Sequence, residues 1–100
     1  MELQGKIKTI HPLEEKGEKK FKTQEITLDR TSEYNGDRKE NYSRIQLSGA
    51  NTDQVQNLQL KEGDIIKCNF EINGRFYEKD GEQKYFQTVS AWGITVIKRA

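Results

Sequence analysis

The stretch Lys61-Glu62-Gly63-Asp64-Ile65-Ile66-Lys67-Cys68-Asn69-Phe70-Glu71-Ile72 alternates at period two behind a tight glycine turn. Ile66, Cys68, Phe70 and Ile72 share one parity, and that face is wholly apolar. Successive side chains of an extended strand point to opposite faces, so the segment reads as a strand with one face in a core. Lys61-Glu62-Gly63-Asp64 is the turn that starts it. Cys68 lies amid the apolar parity with nothing nearby in sequence to lower its pKa, and it reads as a small core residue.

Downstream, Asn73-Gly74 and Asp80-Gly81 are two turn dipeptides, so Asn73 to Lys84 is expected to be a long, ordered β-hairpin loop. A further strand, Tyr85 to Lys98, is interrupted by Gly93. Val89 and Ala91 lie on one parity and Trp92, Ile94 and Val96 on the other, which predicts a bulge or a switch of face near Ala91-Trp92. Trp92 is expected in the core or in an interface. Upstream, Asn51 or Thr52 caps a short helix to about Gln59 with Val55, Leu58 and Leu60 as its apolar side. Before it lies a strand from Asn41 to Ser48 that divides Ser43, Ile45 and Leu47 from Tyr42, Arg44 and Gln46. Asn35-Gly36 marks a turn within Thr31 to Glu40. The strand Phe21 to Arg30 sets Ile26 and Leu28 against Phe21, Thr23, Glu25 and Thr27. Leu3 to Ile10 opens the chain as a strand with Gly5 inside it, a sign of a bend or a close backbone approach. His11-Pro12 ends that strand, and Leu13 to Lys20 is a charged loop centred on Gly17.

Five strands with one short helix between the third and fourth, a glycine in the first and a long loop between the last two describe an all-β protein. The arrangement matches the five-stranded Greek-key barrel called the OB-fold, and closure removes most of the exposed strand edge. One hundred residues suit one such domain, residues 1–100. Hydrophobic residues make up 32% and charged residues 33%, a composition that supports a thin core but not a disordered tail.

The composition also excludes several classes of function. No apolar run reaches the ~20 residues of a membrane span, and Met1 to Lys6 lacks the layout of a signal peptide, so no membrane partner and a cytoplasmic location are expected. A lone cysteine precludes an internal disulfide and a cysteine-cluster metal site. His11, the only histidine, has no second histidine or cysteine for zinc and no serine arrangement resembling a triad. The glycines are isolated turn formers, not a phosphate cradle. No catalytic residue, metal or cofactor is expected. Lys and Arg total 17 against 16 acids, mixed in both halves, so any binding of nucleic acid must use locally placed cations.

Gly5, Phe21-Lys22-Thr23-Gln24-Glu25-Ile26, Leu60-Lys61-Glu62-Gly63-Asp64, Asn73-Gly74-Arg75-Phe76-Tyr77, Gly81 and Val89-Ser90-Ala91-Trp92 stand in an order that spans nearly the whole chain. This pattern resembles a family of small bacterial OB-fold proteins of unassigned function. That family is similar to the bacterial single-stranded DNA-binding proteins, which carry a Lys-Gly turn before strand four and an Arg-Tyr/Phe-like hairpin before strand five. The present sequence departs from them in showing no long tail with an acidic tip, through which those proteins recruit partners.

An OB barrel presents oligonucleotide on the face of its second and third strands, flanked by two loops. Phe21, Lys22, Tyr42 and Arg44 are the candidates there, and Arg75, Phe76, Tyr77 and Lys84 are the candidates in the hairpin. Aromatic rings would stack bases while the cations neutralise phosphates. Each residue has a plainer alternative. Phe21 and Tyr42 could cover a barrel end or pack in a subunit interface, and Arg44 could pair with Glu25 across the sheet. Phe76 and Tyr77 could clamp the hairpin against Tyr85 and Phe86. Lys16, Lys19, Lys20 and Lys22 interleave with Glu14, Glu15 and Glu18 in what reads as a solvated run. The expected partner is single-stranded DNA before RNA, with a homo-oligomer as a further expectation. A protein-interaction or self-assembly module is the competing class.

Overall fold

The computed structural model describes residues 1–100. In chain order the elements are β1 (Glu2–Ile10), β2 (Glu14–Lys16), β3 (Phe21–Asp29), β4 (Ser32–Tyr34), β5 (Asp37–Lys39), β6 (Tyr42–Ser48), a 3-10 turn (Gly49–Thr52), α1 (Asp53–Asn57), β7 (Ile65–Lys79) and β8 (Glu82–Lys98). Five of the strands close a ring in the order β1, β7, β8, β6, β3, with β3 returning to β1. Every pairing in the ring is antiparallel except β6 with β8, which run parallel and meet at Gln46 and Ser90. This is the OB-fold architecture that the alternation predicts. No helix is long and apolar enough to cross a membrane.

β1 closes the ring by serving two partners, β7 through Glu2 to Lys6 and β3 through Lys6 to Ile10. Gly5 sits at the changeover. A Cβ there would stand 3.0 Å from the Leu28 Cβ and 3.3 Å from the Asp29 carbonyl oxygen, so the bare backbone is what lets β3 approach. The core is a set of small aliphatic residues: Leu3, Ile7, Ile26, Leu28, Ile45 and Leu47 from the first three ring strands, Ile66 and Cys68 from β7, Ala91 and Ile94 from β8, and Leu60. Burial pushes the Cys68 thiol up to about 11, so this cysteine is a core residue and not a nucleophile.

The helix is shorter than expected, and neither Asn51 nor Thr52 caps it with a side-chain acceptor. Thr52 donates its hydroxyl to the Gly49 carbonyl instead, and Gln59 ends the segment in the left-handed region at φ 51°. One polar contact pins α1 to the barrel: the Ile94 amide donates to the Gln54 Oε1 at 2.8 Å. That amide lies beside the β7–β8 register shift, where Gly93 takes φ +60°. The bulge is therefore close to where the parity change places it. Trp92, however, is 41% exposed on the outer side and contributes nothing to the core.

The end of the chain is held by the turn before β7. Asp64 is buried and accepts the amides of Ala100 and Lys61 and an Nη1–H of Arg99. The Ala100 amide does most to keep this carboxylate below its ordinary range, with the Lys61 amide and Arg99 adding to it against the cost of burial.

Two local expectations give way to pairing. Leu13 to Lys20 is not all loop, because Glu14–Lys16 folds back on β3 as β2. Asn73-Gly74 forms no turn. β7 and β8 run in unbroken register from Ile72 opposite Val89 out to Lys79 opposite Glu82. Asp80 and Gly81, at φ 54° and 78°, make the only reversal. β7 bonds the start of the chain no further than Phe70, whose amide donates to the Met1 carbonyl, and β8 meets β6 at Ser90. Beyond those points the two strands have only each other and form a projecting arm.

Candidate nucleic-acid interface

The β2–β3 hairpin and the arm face each other across an open groove of about 580 Å³. Cross-strand register builds both walls. Lys16 stands opposite Phe21 on one, and Arg75 opposite Phe86 on the other. Thr23, Gln46 and Ser90 supply polar groups to the lining, with Asn73 and Thr88 from the arm. No carboxylate lines the groove. Phe21 and Phe86 are about half exposed, at 54% and 49%, so each offers a ring to solvent. Thr23 keeps the outward parity expected of it, yet it is buried because the walls rise on either side.

The cations on the walls are not bound up elsewhere. The Arg75 guanidinium lies 5.8 Å from the Phe86 ring centroid, a cation–π contact that leaves its donors free. Lys16 Nζ reaches Glu14 Oε2 at 3.6 Å, but both side chains are mostly solvent-exposed, where such a pair is worth ~0.2–1 kcal/mol. Asn73 Nδ2 donates to Ser90 Oγ at 2.8 Å across the arm and holds its amide in the groove lining.

The remaining candidates lie elsewhere. Tyr42 is 43% exposed on the face of β3 and β6, with Lys8 Nζ 5.0 Å from its ring centroid. Arg44 on the same face is engaged by Glu25, Nε to Oε2 at 3.2 Å. Asp29 adds a second carboxylate to this surface. The Thr31 hydroxyl and amide hold its carboxyl below the ordinary value against some desolvation, helped by Lys8 and Arg38. Two carboxylates make this face a poorer seat for phosphates than the groove.

Lys22 pairs in register with Glu15 and points to the opposite side of β3 from Phe21. Tyr77 and Lys84 oppose each other further out on the groove side of the arm. Phe76 lies on the other side, tilted against Tyr85 with centroids 5.2 Å apart. Phe86, Gln46 and Lys16 complete the groove although the sequence pattern alone assigns them no site role. For Phe86 a signal exists: it falls at Arg75's cross-strand position once the hairpin reverses at Asp80-Gly81. No group of His, Cys, Asp and Glu side chains is close enough to hold a metal ion.

Among solved structures the fold resembles single-stranded DNA-binding proteins. The wild-type protein from Thermus aquaticus matches with a TM-score of 0.71 at 20% identity, over 97% of this chain and 48% of that one. The chain thus spans about half of that protein's length. The Plasmodium falciparum protein, solved in complex with single-stranded DNA, gives 0.71 at 11% identity over 98% and 93%. The mitochondrial protein from S. cerevisiae gives 0.65 at 14% over 100% and 95%. At these identities the likeness is one of fold. A search of curated protein sequences finds no match. The model of a domain of unknown function, DUF3127, matches residues 2–95, and the chain belongs to that family.

Proposed function

We propose that this chain is a non-catalytic OB-fold module that binds single-stranded nucleic acid, DNA before RNA, in the groove between the β2–β3 hairpin and the arm. The observation that carries this reading is a groove with two half-exposed phenyl rings and two cations and no carboxylate in its lining. Bases stack on Phe21 and Phe86, and Lys16 and Arg75 neutralise the phosphates between them. The amide and hydroxyl groups of Gln46, Asn73, Thr88 and Ser90 meet base edges or sugars. Tyr77 and Lys84 prolong the track along the arm. Arg44 contributes less, because a phosphate must displace Glu25 to reach it. The fold shared with proteins named for single-stranded DNA binding supports the same ligand class.

Fluorescence anisotropy of a labelled oligothymidine at low salt and micromolar protein tests the reading. Binding is expected. Phe21→Ala and Phe86→Ala should each weaken it roughly 5- to 150-fold, the equivalent of ~1–3 kcal/mol per stacked base. Ile97→Ala, outside the groove, should leave affinity unchanged. No anisotropy change with the wild-type chain overturns the proposal.

A further inference from the structure

Rings and cations face each other across the strands on one side of the arm only. On the groove side Phe86 stands opposite Arg75, and on the next rung outward Tyr77 stands opposite Lys84. On the far side Phe76 stands opposite Tyr85 and the rung beyond pairs Glu78 with Gln83, so the rings there meet no cation. The β2–β3 hairpin repeats the groove-side unit on the other wall, with Lys16 opposite Phe21. Phe21, Phe86 and Tyr77 are each about half exposed. None of the chain's ion pairs uses Arg75 or Lys84, and the one at Lys16 is open to solvent. A cation–π contact inside the ribbon accounts for Arg75 beside Phe86 but not for the outer rung, where Lys84 and Tyr77 make none.

We propose that the site takes three nucleotides, one to each ring–cation rung, with the base against the ring and its phosphate at the facing cation. This rests on the groove reading above and adds to it a length and a strand conformation. Successive rungs on one face of a ribbon are two residues apart, about 7 Å. A stacked strand advances only about 3.4 Å per nucleotide. One nucleotide per rung therefore needs a strand drawn out to about twice its stacked rise, which parts neighbouring bases and gives each a protein ring in place of its neighbour. The ligand is thus an unstacked single strand; a duplex does not fit. The track stops at both ends of the arm. Outward, Lys79 faces Glu82, whose carboxylate repels a further phosphate. Toward the barrel, the rungs of Asn73 with Thr88 and Glu71 with Ser90 hold neither ring nor cation.

Competition of 5′-phosphorylated thymidine strands, one to six nucleotides long, against the labelled oligothymidine on the full chain tests this. Affinity is expected to climb roughly 5- to 150-fold with each nucleotide up to three. From three to six it should gain only the roughly fourfold that four alternative registers allow. Tyr77→Ala combined with Lys84→Ala, which removes the outer rung without touching the buried core, should end the climb at two nucleotides. Gln83→Ala, on the far face, should leave the series as in the wild-type chain. Lys84→Ala alone should take about 0.7 off the salt slope of the trinucleotide. A climb that keeps its pace from three to six nucleotides overturns the three-rung register, and so does one that still ends at three without the outer rung, or a salt slope that Lys84→Ala does not change. In each of those cases the strands bind and the groove reading stands. No binding by any strand overturns both.

Discussion

At Gly5 the chain passes from one ring partner to the next, and a side chain has no room. The Leu28 Cβ at 3.0 Å, Arg30 Cγ at 3.1 Å and Asp29 carbonyl at 3.3 Å surround the position. The Arg30 stem can move; β3 itself cannot without opening the β1–β3 ladder. Gly5→Val should therefore lower stability by ~1–3 kcal/mol, read as an earlier urea midpoint with an unchanged slope. An unchanged midpoint would show that the approach is not tight. This constraint is legible in the sequence, since a glycine inside an alternating strand marks a bend, a bulge or a close backbone approach. The core is legible for a similar reason: parity alone assigns Ile66, Cys68, Ile45 and Leu47 to one side. Trp92 is not, because the bulge at Gly93 breaks the parity that links it to Ile94 along the chain.

Among the elements, the arm departs furthest from its local sequence signal. Asn73-Gly74 has the composition of a turn, yet the dipeptide sits in mid-strand because the cross-strand Tyr85 ring occupies the space above Gly74. Tertiary packing uses the glycine for close approach, and Asp80-Gly81 alone supplies the reversal. The groove escapes the sequence for a related reason. Its walls come from β2–β3 and from the arm, and no periodicity along one strand says which distant wall its outward face will meet. Arg75 and Phe21 stand out as candidates without the geometry that joins them. None of the buried core residues lies in the arm beyond Phe70 and before Ala91. Replacing Arg75 to Phe86 by Asn-Gly, which joins the Gly74 and Gln87 rung by a two-residue turn, should leave a folded barrel. Far-UV circular dichroism should retain the strand signal and a cooperative melt, while oligothymidine affinity falls at least about tenfold with the loss of one stacking ring and Arg75. Full affinity in the truncated chain would move the site to the β3–β6 face.

For the molecule as a whole, a net charge of +1 provides no long-range field to gather a polyanion. Binding must then depend on the few cations that touch it. With Lys16, Arg75 and Lys84 as those cations, log affinity against log salt should fall with a slope near −2, at about −0.7 per phosphate on a single strand. A slope steeper than about −4 in a salt titration would mean that other lysines carry the contact. The elongated outline, 48 × 34 × 22 Å with a radius of gyration of 15.4 Å, exceeds the ~13 Å of a compact chain of this length, and the arm accounts for the excess. Ring closure depends on the parallel meeting of Gln46 with Ser90, a single rung where its other joints have several. That rung works as a clasp, and both of its residues lie in the groove lining. A ligand held in the groove as proposed would span both residues of that rung, so oligothymidine is expected to slow amide exchange at Ser90 and to raise the melting temperature together.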